Sequence, residues 1–182
     1  MPESDQDLLE RLLGGDEGAF TALYRLRQGS IYRFALQMTG SVVIAEDVTQ
    51  ETFLVLMTHG ARYDAARGTL AAFLYGIARN QVLKRLSRER FAEASVDDVD
   101  GGFDVLEDLT RRETIEKVRS AVLSLPPQYR EVVVLCDLQE ASYEDAAAAL
   151  DCPVGTVRSR LNRGRAMLTK KLRVVSAAGS LS

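Results

Sequence analysis

The amino-acid sequence predicts an all-α protein of two small helical domains joined by a flexible acidic linker, with a helix-turn-helix in the second domain. Apolar residues recur at helical spacing through most of the chain. An acidic stretch with paired glycines interrupts them between residues 91 and 110. Near the end, a capped helix, a proline turn and a strongly basic helix follow one another. The expected boundaries are 1–90, 91–110 for the linker, 111–173 for the second domain and 174–182 for a flexible tail.

The composition is that of an ordinary globular protein, with 46% hydrophobic and 27% charged residues among 182. A net charge of −3 argues against indiscriminate coating of DNA, but it permits DNA binding because the charge is segregated along the chain. We find no signal-peptide pattern and no membrane-length apolar window, so we expect a cytoplasmic protein without membrane insertion. Cys136, Cys152 and His59 show no zinc spacing, so we expect reduced thiols, no metal and no cofactor.

In the first domain, residues 16–34 are predicted to form two amphipathic core helices, and Gly40 and Ser41 break the pattern. The helix after this break has an apolar face. On its opposite side lie Asp47, Gln50, Glu51 and Leu54. A glycine-bracketed loop at 59–69 precedes a basic helix at 70–88, whose exposed faces collect Arg79, Asn80, Lys84, Arg85 and Arg88. Aromatic and arginine side chains of this kind suit stacking and backbone contact with unpaired DNA.

The helix-turn-helix is predicted within residues 142–173. Ser142 can cap the first helix, and Asp145 completes a box-like pairing with the early amides. Pro153 ends that helix and suits the first turn of the next. The second helix keeps its apolar residues on one stripe, formed by Val154, Val157, Leu161, Leu168 and Leu172.

Opposite this stripe lie small or polar residues with arginines on the flanks. The centre holds Gly155, Thr156, Ser159, Asn162, Arg163 and Ala166, and the flanks hold Arg158, Arg160 and Arg165. Residues 153–173 contain seven basic residues and no acid. A slim polar centre suits base edges in the major groove, and flanking arginines suit phosphates. Charge alone favours a solvated basic helix. The cap, the turn and the small central residues favour a helix that reads DNA.

The segments CPVGTVRSRLNRGRAML and SLPPQYREVVVLCDLQEASYEDAA resemble the promoter-reading end of bacterial sigma factors of the extracytoplasmic-function (ECF) class. AEDVTQETF resembles the sigma segment that docks onto the clamp helices of the RNA polymerase largest subunit. FLYGIARN is similar to the helix that captures the −10 promoter element as a single strand, after a loop that receives a flipped base. The resemblance covers about residues 16–172.

The resemblance implies a sigma factor that is not an enzyme and that directs core RNA polymerase to particular promoters. Its partners would be the clamp, the flap of the second-largest subunit, promoter DNA and an anti-sigma factor. The acidic linker would occupy the polymerase's basic RNA path. The implied polymerase-binding residues are Asp47, Gln50, Glu51 and Leu54. The implied −10 residues are Arg62, Tyr63, Tyr75, Arg79, Asn80, Lys84, Arg85 and Arg88. The implied −35 residues are Thr156, Arg158, Ser159, Arg160, Asn162, Arg163 and Arg165.

Two other functions remain open from the residues alone. A stand-alone helix-turn-helix regulator would explain the second domain but leave the basic helix of the first unexplained. A small helical enzyme or ligand-binding bundle would need a polar pocket, for which the sequence offers little.

The chain also departs from the family pattern, because Met57 and Phe73 stand where tryptophan is frequent. Ala146 and Ala149 replace larger aliphatic residues, and Asp151 replaces a turn glycine.

Overall fold

A computed structural model describes residues 3–92 and 109–179. The first part contains α1 (Asp5–Leu13), α2 (Glu17–Thr39), α3 (Val42–His59), a 3₁₀ turn (Gly60–Arg62) and α4 (Leu70–Ala92). The second part contains α5 (Leu109–Leu123), α6 (Pro127–Val133) with a π-helical turn (Val134–Leu138), α7 (Tyr143–Leu150) and α8 (Val154–Gly179). No strand occurs in these two parts, which confirms the predicted all-α class. The linker is predicted at 91–110: its residues 93–108 lie outside the described residues, Phe91 and Ala92 belong to α4, and Leu109 and Thr110 belong to α5.

Capping residues set the helix ends in the first domain. The Asp16 carboxylate accepts from the backbone N–H groups of Gly18 and Ala19, at 2.8 and 3.2 Å, and so begins α2. Gly40 ends that helix with φ of 70°, a left-handed conformation that glycine adopts without strain. The prediction of two helices within 16–34 is wrong, because this segment lies in the single helix α2. The segment contains no proline, and its glycines do not break the helix. The expected tail from residue 174 begins inside α8, which continues to Gly179.

The first domain packs around large apolar side chains from α2, α3 and α4, chiefly Leu23, Phe34, Phe53, Leu56 and Leu74. In the second domain, the apolar run of α6 and its π-helical turn packs against α7 and α8. The two sets of buried residues join, because α4 of the first domain lies along α7 of the second. No helix in the described part of the chain is both long and apolar enough to cross a membrane.

Candidate nucleic-acid interface

The helix-turn-helix forms where the sequence predicts it. The Ser142 hydroxyl accepts from the backbone N–H of Asp145 at 3.0 Å and begins α7. Asp151 ends α7 in the left-handed region, with φ of 50°, a conformation that aspartate tolerates better than most residues. The predicted pairing of the Asp145 carboxylate with early amides of α7 is not what the structure shows. That carboxylate instead accepts from the Thr69 hydroxyl of the first domain at 2.9 Å.

The apolar stripe holds the recognition helix α8 against the rest of its domain. Val157 and Leu161 are buried, and Val154 and Leu168 are partly buried against the core. Gly164 is buried where α8 packs closely against α6. A Cβ added there would lie 2.8 Å from Cγ2 of Val133 and 3.3 Å from the carbonyl oxygen of Tyr129. A side chain at position 164 would therefore push the recognition helix outward.

The opposite side of α8 is open to solvent. Arg158, Ser159, Asn162 and Arg163 are exposed, and Thr156 is partly exposed. The guanidinium carbon of Arg158 lies 5.7 Å from the centre of the Tyr143 ring, within the range of a cation–π contact. This contact steadies Arg158 at the edge of the exposed face. The centre of the face remains free to meet base edges.

The other two predicted arginines of α8 already have acidic partners. Arg160 is partly buried, and its Nη1 lies 3.8 Å from Oε1 of Glu131. Arg165 donates twice to the Asp137 carboxylate, from Nε at 3.0 Å and from Nη2 at 2.6 Å. Hydrogen bonding to this carboxylate raises the pKa of Arg165 above its ordinary value. The charge of Arg165 is thus largely compensated before any phosphate approaches.

The predicted −10 residues divide into exposed and engaged side chains. Arg62, Asn80, Lys84 and Arg88 are exposed. Tyr63 is partly buried and donates from its hydroxyl to the carbonyl oxygen of Gly68 at 3.2 Å.

Tyr75, Arg79 and Arg85 are engaged within the protein. Tyr75 is only 7% exposed, and its ring centre lies 5.5 Å from that of Phe34 in the core. Arg79 donates to Glu131 from Nε at 2.7 Å and from Nη2 at 3.2 Å. Arg85 donates to Glu51, from Nη2 at 2.8 Å and from Nη1 at 3.1 Å. Contact of these three side chains with DNA stays a prediction, and in this arrangement Tyr75 is a core residue.

The predicted polymerase-binding residues lie on one face of α3. Asp47, Gln50 and Leu54 are exposed, the last at 59% of its surface. Glu51 lies at the edge of the face, and its hydrogen bonds with Arg85 hold its pKa below the ordinary value.

Two exposed apolar residues extend this face, Val43 at 68% and Met57 at 51%. The series 43, 47, 50, 54, 57 follows steps of four and three, so these side chains form one stripe. Sequence reasoning missed this stripe, although its spacing is visible in the sequence.

Sequence reasoning also missed Glu131, a carboxylate that is only 2% exposed. It lies between Arg79 of α4 and Arg160 of α8, so it bridges the two predicted DNA-reading helices. The available signal was an acid directly before the apolar run VVVL, since carboxylates are almost never fully buried unless they are paired.

Both cysteines are free thiols. Burial raises the pKa of Cys136 to about 11 and also raises that of Cys152. Both thiols are therefore poor nucleophiles at neutral pH.

Each of the two helical domains matches a known protein family. Residues 23–92 match the family model of Sigma-70 region 2, and residues 115–168 match that of Sigma-70, region 4. The chain is 33% identical over 172 residues to the ECF RNA polymerase sigma factor SigM of Mycobacterium tuberculosis, covering 93% of this chain and 85% of that protein. The chain belongs to the ECF class of RNA polymerase sigma factors. The family predicted from the motifs is thereby confirmed.

Two further relatives of this ECF sigma factor span nearly the same length. It is 29% identical to the ECF RNA polymerase sigma factor SigW of Bacillus subtilis, over 91% of this chain and 95% of that protein. It also resembles the solved structure of the sigma factor RpoE bound to the anti-sigma factor NepR from Bartonella quintana. That likeness has a TM-score of 0.69 and 26% identity, and it covers 85% of this chain and 97% of the other. The matches to both sigma regions favour a sigma factor over a stand-alone helix-turn-helix regulator.

Proposed function

We propose that this ECF sigma factor binds core RNA polymerase, directs it to a specific set of promoters and is held in check by an anti-sigma factor. The observation that carries this proposal is the presence of both sigma regions in one chain, each with an exposed basic surface. Region 2 supplies the basic helix α4, and region 4 supplies the recognition helix α8. The role is binding and positioning, and it requires no catalytic group.

Two surfaces suit the polymerase. The α3 stripe has Val43 at one end and Leu54 and Met57 at the other, with Asp47 and Gln50 between them, so it offers a protein partner both apolar anchors and polar groups. We assign it to the clamp. An open groove of about 870 Å³ lies between α5 and α8, with Ala121 and Met167 among its lining and lysines at its edge. We assign this groove to the flap. The solved complex of a related sigma factor with NepR supports an anti-sigma partner.

The test of this function is promoter binding with and without core polymerase. The chain is net acidic, so it should give no promoter footprint alone and a clear one in the holoenzyme. Leu54→Asp should weaken core binding by at least tenfold, because it replaces one of the apolar anchors of the stripe by a charge. Arg25→Asp, a charge change at an exposed position of α2, serves as the matched control. Equal footprints with and without polymerase would contradict the proposal and favour a stand-alone regulator.

A second prediction separates the faces of α8. Arg163 is exposed at the centre, so Arg163→Ala should reduce discrimination at one or two base pairs of the −35 element by about tenfold. Arg165→Ala should lower affinity for all sequences alike. Its effect on the salt slope should be below the roughly one unit expected for a free phosphate contact, because Asp137 already compensates the charge.

Asp137→Asn is the matched variant for this pair, and it should raise affinity for every duplex. The measurement is a panel of promoter variants bound by holoenzyme at several salt concentrations. If Arg163→Ala lost affinity uniformly while Arg165→Ala changed base preference, the assignment of the two faces would be wrong.

A further inference from the structure

Helix α1 lies outside the match to Sigma-70 region 2, which begins at residue 23. None of the proposed polymerase or DNA contacts involves it. An isolated helix of 9 residues is marginally stable at best in water, so α1 depends on contacts with the rest of its domain. Leu8 and Leu9 are buried, and the Arg27 guanidinium of α2 donates to the Asp5 carboxylate. These contacts make α1 a fixed part of the first domain.

The C-terminal half of α1 packs against the start of the loop at 60–69, which we call the base-capture loop. Gly60 is buried there. A Cβ added to it would lie 3.3 Å from Cδ1 of Leu9, 3.4 Å from Cδ2 of Leu13 and 3.5 Å from Cδ1 of Leu56. Two of these three leucines belong to α1, so that helix forms much of the surface on which Gly60 packs. A larger residue would have to displace either α1 or the loop.

The position of Gly60 in turn sets that of Tyr63. The backbone N–H of Tyr63 donates to the carbonyl oxygen of Gly60 at 3.0 Å. Its hydroxyl donates to the carbonyl oxygen of Gly68, and its ring centre lies 5.6 Å from that of Phe73. Burial raises the pKa of Tyr63, and the nearby carboxylate of Asp5 raises it further. Tyr63 therefore remains neutral at physiological pH and keeps its hydroxyl as a hydrogen-bond donor.

Short-range bonds hold the tip of the base-capture loop. The backbone N–H of Ala66 donates to the Asp64 carboxylate at 2.9 Å, and that of Arg67 donates to the Asp64 carbonyl oxygen at 3.0 Å. These bonds shape the tip but do not fix its place on the domain. Loops that bind a ligand need a rigid scaffold to position them. At the Gly60 end of the loop, α1 and α3 supply that scaffold.

We infer that α1 positions the base-capture loop, so that Leu9 and Leu13 help to determine which base of the −10 element is accepted. This inference rests on the proposed function for what the loop binds. The packing of α1 on Gly60 is independent of that function. A loop selects among bases only while its contacting groups keep a fixed geometry. The two leucines touch no DNA in this role and act through Gly60 and Tyr63.

Leu13→Ala tests this role with little risk to the fold, because Leu13 is 47% exposed. Leu26→Ala is the matched control, since it truncates a leucine of α2 that is 56% exposed. Leu13→Met should behave as the unmodified chain, because methionine fills a similar volume. Gly60→Val disturbs the same contact from the side of the loop. Gly29→Val is its control, because the only nearby atom there belongs to the flexible end of Arg33.

Backbone hydrogen exchange in the free chain measures how firmly the loop is held. The N–H of Tyr63 should exchange about tenfold faster in Leu13→Ala and Gly60→Val, because both changes weaken the apolar contact with α1. Amides inside α2 should keep their exchange rates. Leu26→Ala, Gly29→Val and Leu13→Met should match the unmodified chain. Unchanged exchange at Tyr63 in both test variants would overturn the inference.

The second measurement is open-complex formation by holoenzyme on promoters that differ by one base in the −10 or the −35 element. Leu13→Ala and Gly60→Val should reduce discrimination within the −10 element by about tenfold, which is within the range that one base pair supplies. Discrimination at the −35 element should stay unchanged.

Equal loss of discrimination at both elements would overturn the inference, because it would indicate general destabilisation. Intact −10 discrimination in chains whose Tyr63 exchanges faster would overturn it as well. An unmodified holoenzyme with no base preference at the −10 element would contradict the proposed function instead, and the exchange rates would still decide whether α1 holds the loop.

Discussion

Replacing Glu131 by glutamine should lower the free energy of unfolding of the full chain by about 3 kcal/mol. The substitution keeps the shape of the side chain and removes its charge. Arg79 and Arg160 then lose their shared counter-ion in a site where the carboxylate is only 2% exposed. Because both arginines keep some access to water, we place the effect at the lower end of the range for broken buried ion pairs. Urea unfolding followed by circular dichroism at 222 nm measures the change.

Glu116→Gln is the control for this experiment, because Glu116 is exposed and lies 3.8 Å from Arg119 one helical turn away. Such surface pairs contribute well under about 1 kcal/mol. Arg79→Gln combined with Glu131→Gln should cost less than the sum of the two single changes, since the second removes a charge that has already lost its partner. Strict additivity would show that the two groups do not interact in solution.

Arg130→Met should destabilise the chain by about 3 kcal/mol, because it removes three charged hydrogen bonds to backbone carbonyls. The guanidinium donates to Met38 at 2.6 Å, to Leu123 at 2.5 Å and to Leu125 at 3.0 Å. These carbonyls lie at or just beyond the C-terminal ends of α2 and α5, where helices leave carbonyls unsatisfied and favour a cation. Burial lowers the pKa of Arg130, but the group remains charged.

Methionine retains much of the apolar stem of Arg130, so the loss reports the hydrogen bonds rather than the packing. Arg130→Lys should recover part of the stability, because an ammonium can reach one or two of the three carbonyls. Arg119→Met at an exposed position should change stability by less than about 0.5 kcal/mol. An Arg130→Met protein as stable as the control would show that water satisfies these carbonyls equally well.

Local signals in the sequence predict most of the fold and much of the candidate site. The Ser142 cap and the turn before Pro153 are local, and both are found where expected. The Val157–Leu161 stripe fixes which side of α8 faces outward, so the exposure of Ser159, Asn162 and Arg163 follows from helical periodicity.

What the sequence could not provide is the pairing of residues that are distant along the chain. Glu131 meets Arg79 across 52 positions, and Asp145 meets Thr69 across 76. No helical period relates such partners. Tyr75 illustrates the same limit, because a polar aromatic residue suits both a core and a stacking surface. The small alanines of α7 permit close contact with α4, and nothing local in the sequence indicates this partner.

The π-helical turn at Val134–Leu138 accommodates one more residue than an α-helical turn would. Loss of a single residue there would restore regular α geometry and leave the helices after it at nearly the same rotation relative to α6, because the wide turn holds the extra residue within one turn. If the residue lost were Asp137, its pair with Arg165 would be lost as well, and that arginine would become available to phosphates. A one-residue change in length, remote from the recognition helix, is therefore a route by which related proteins can diverge in general DNA affinity while keeping the same base-reading residues.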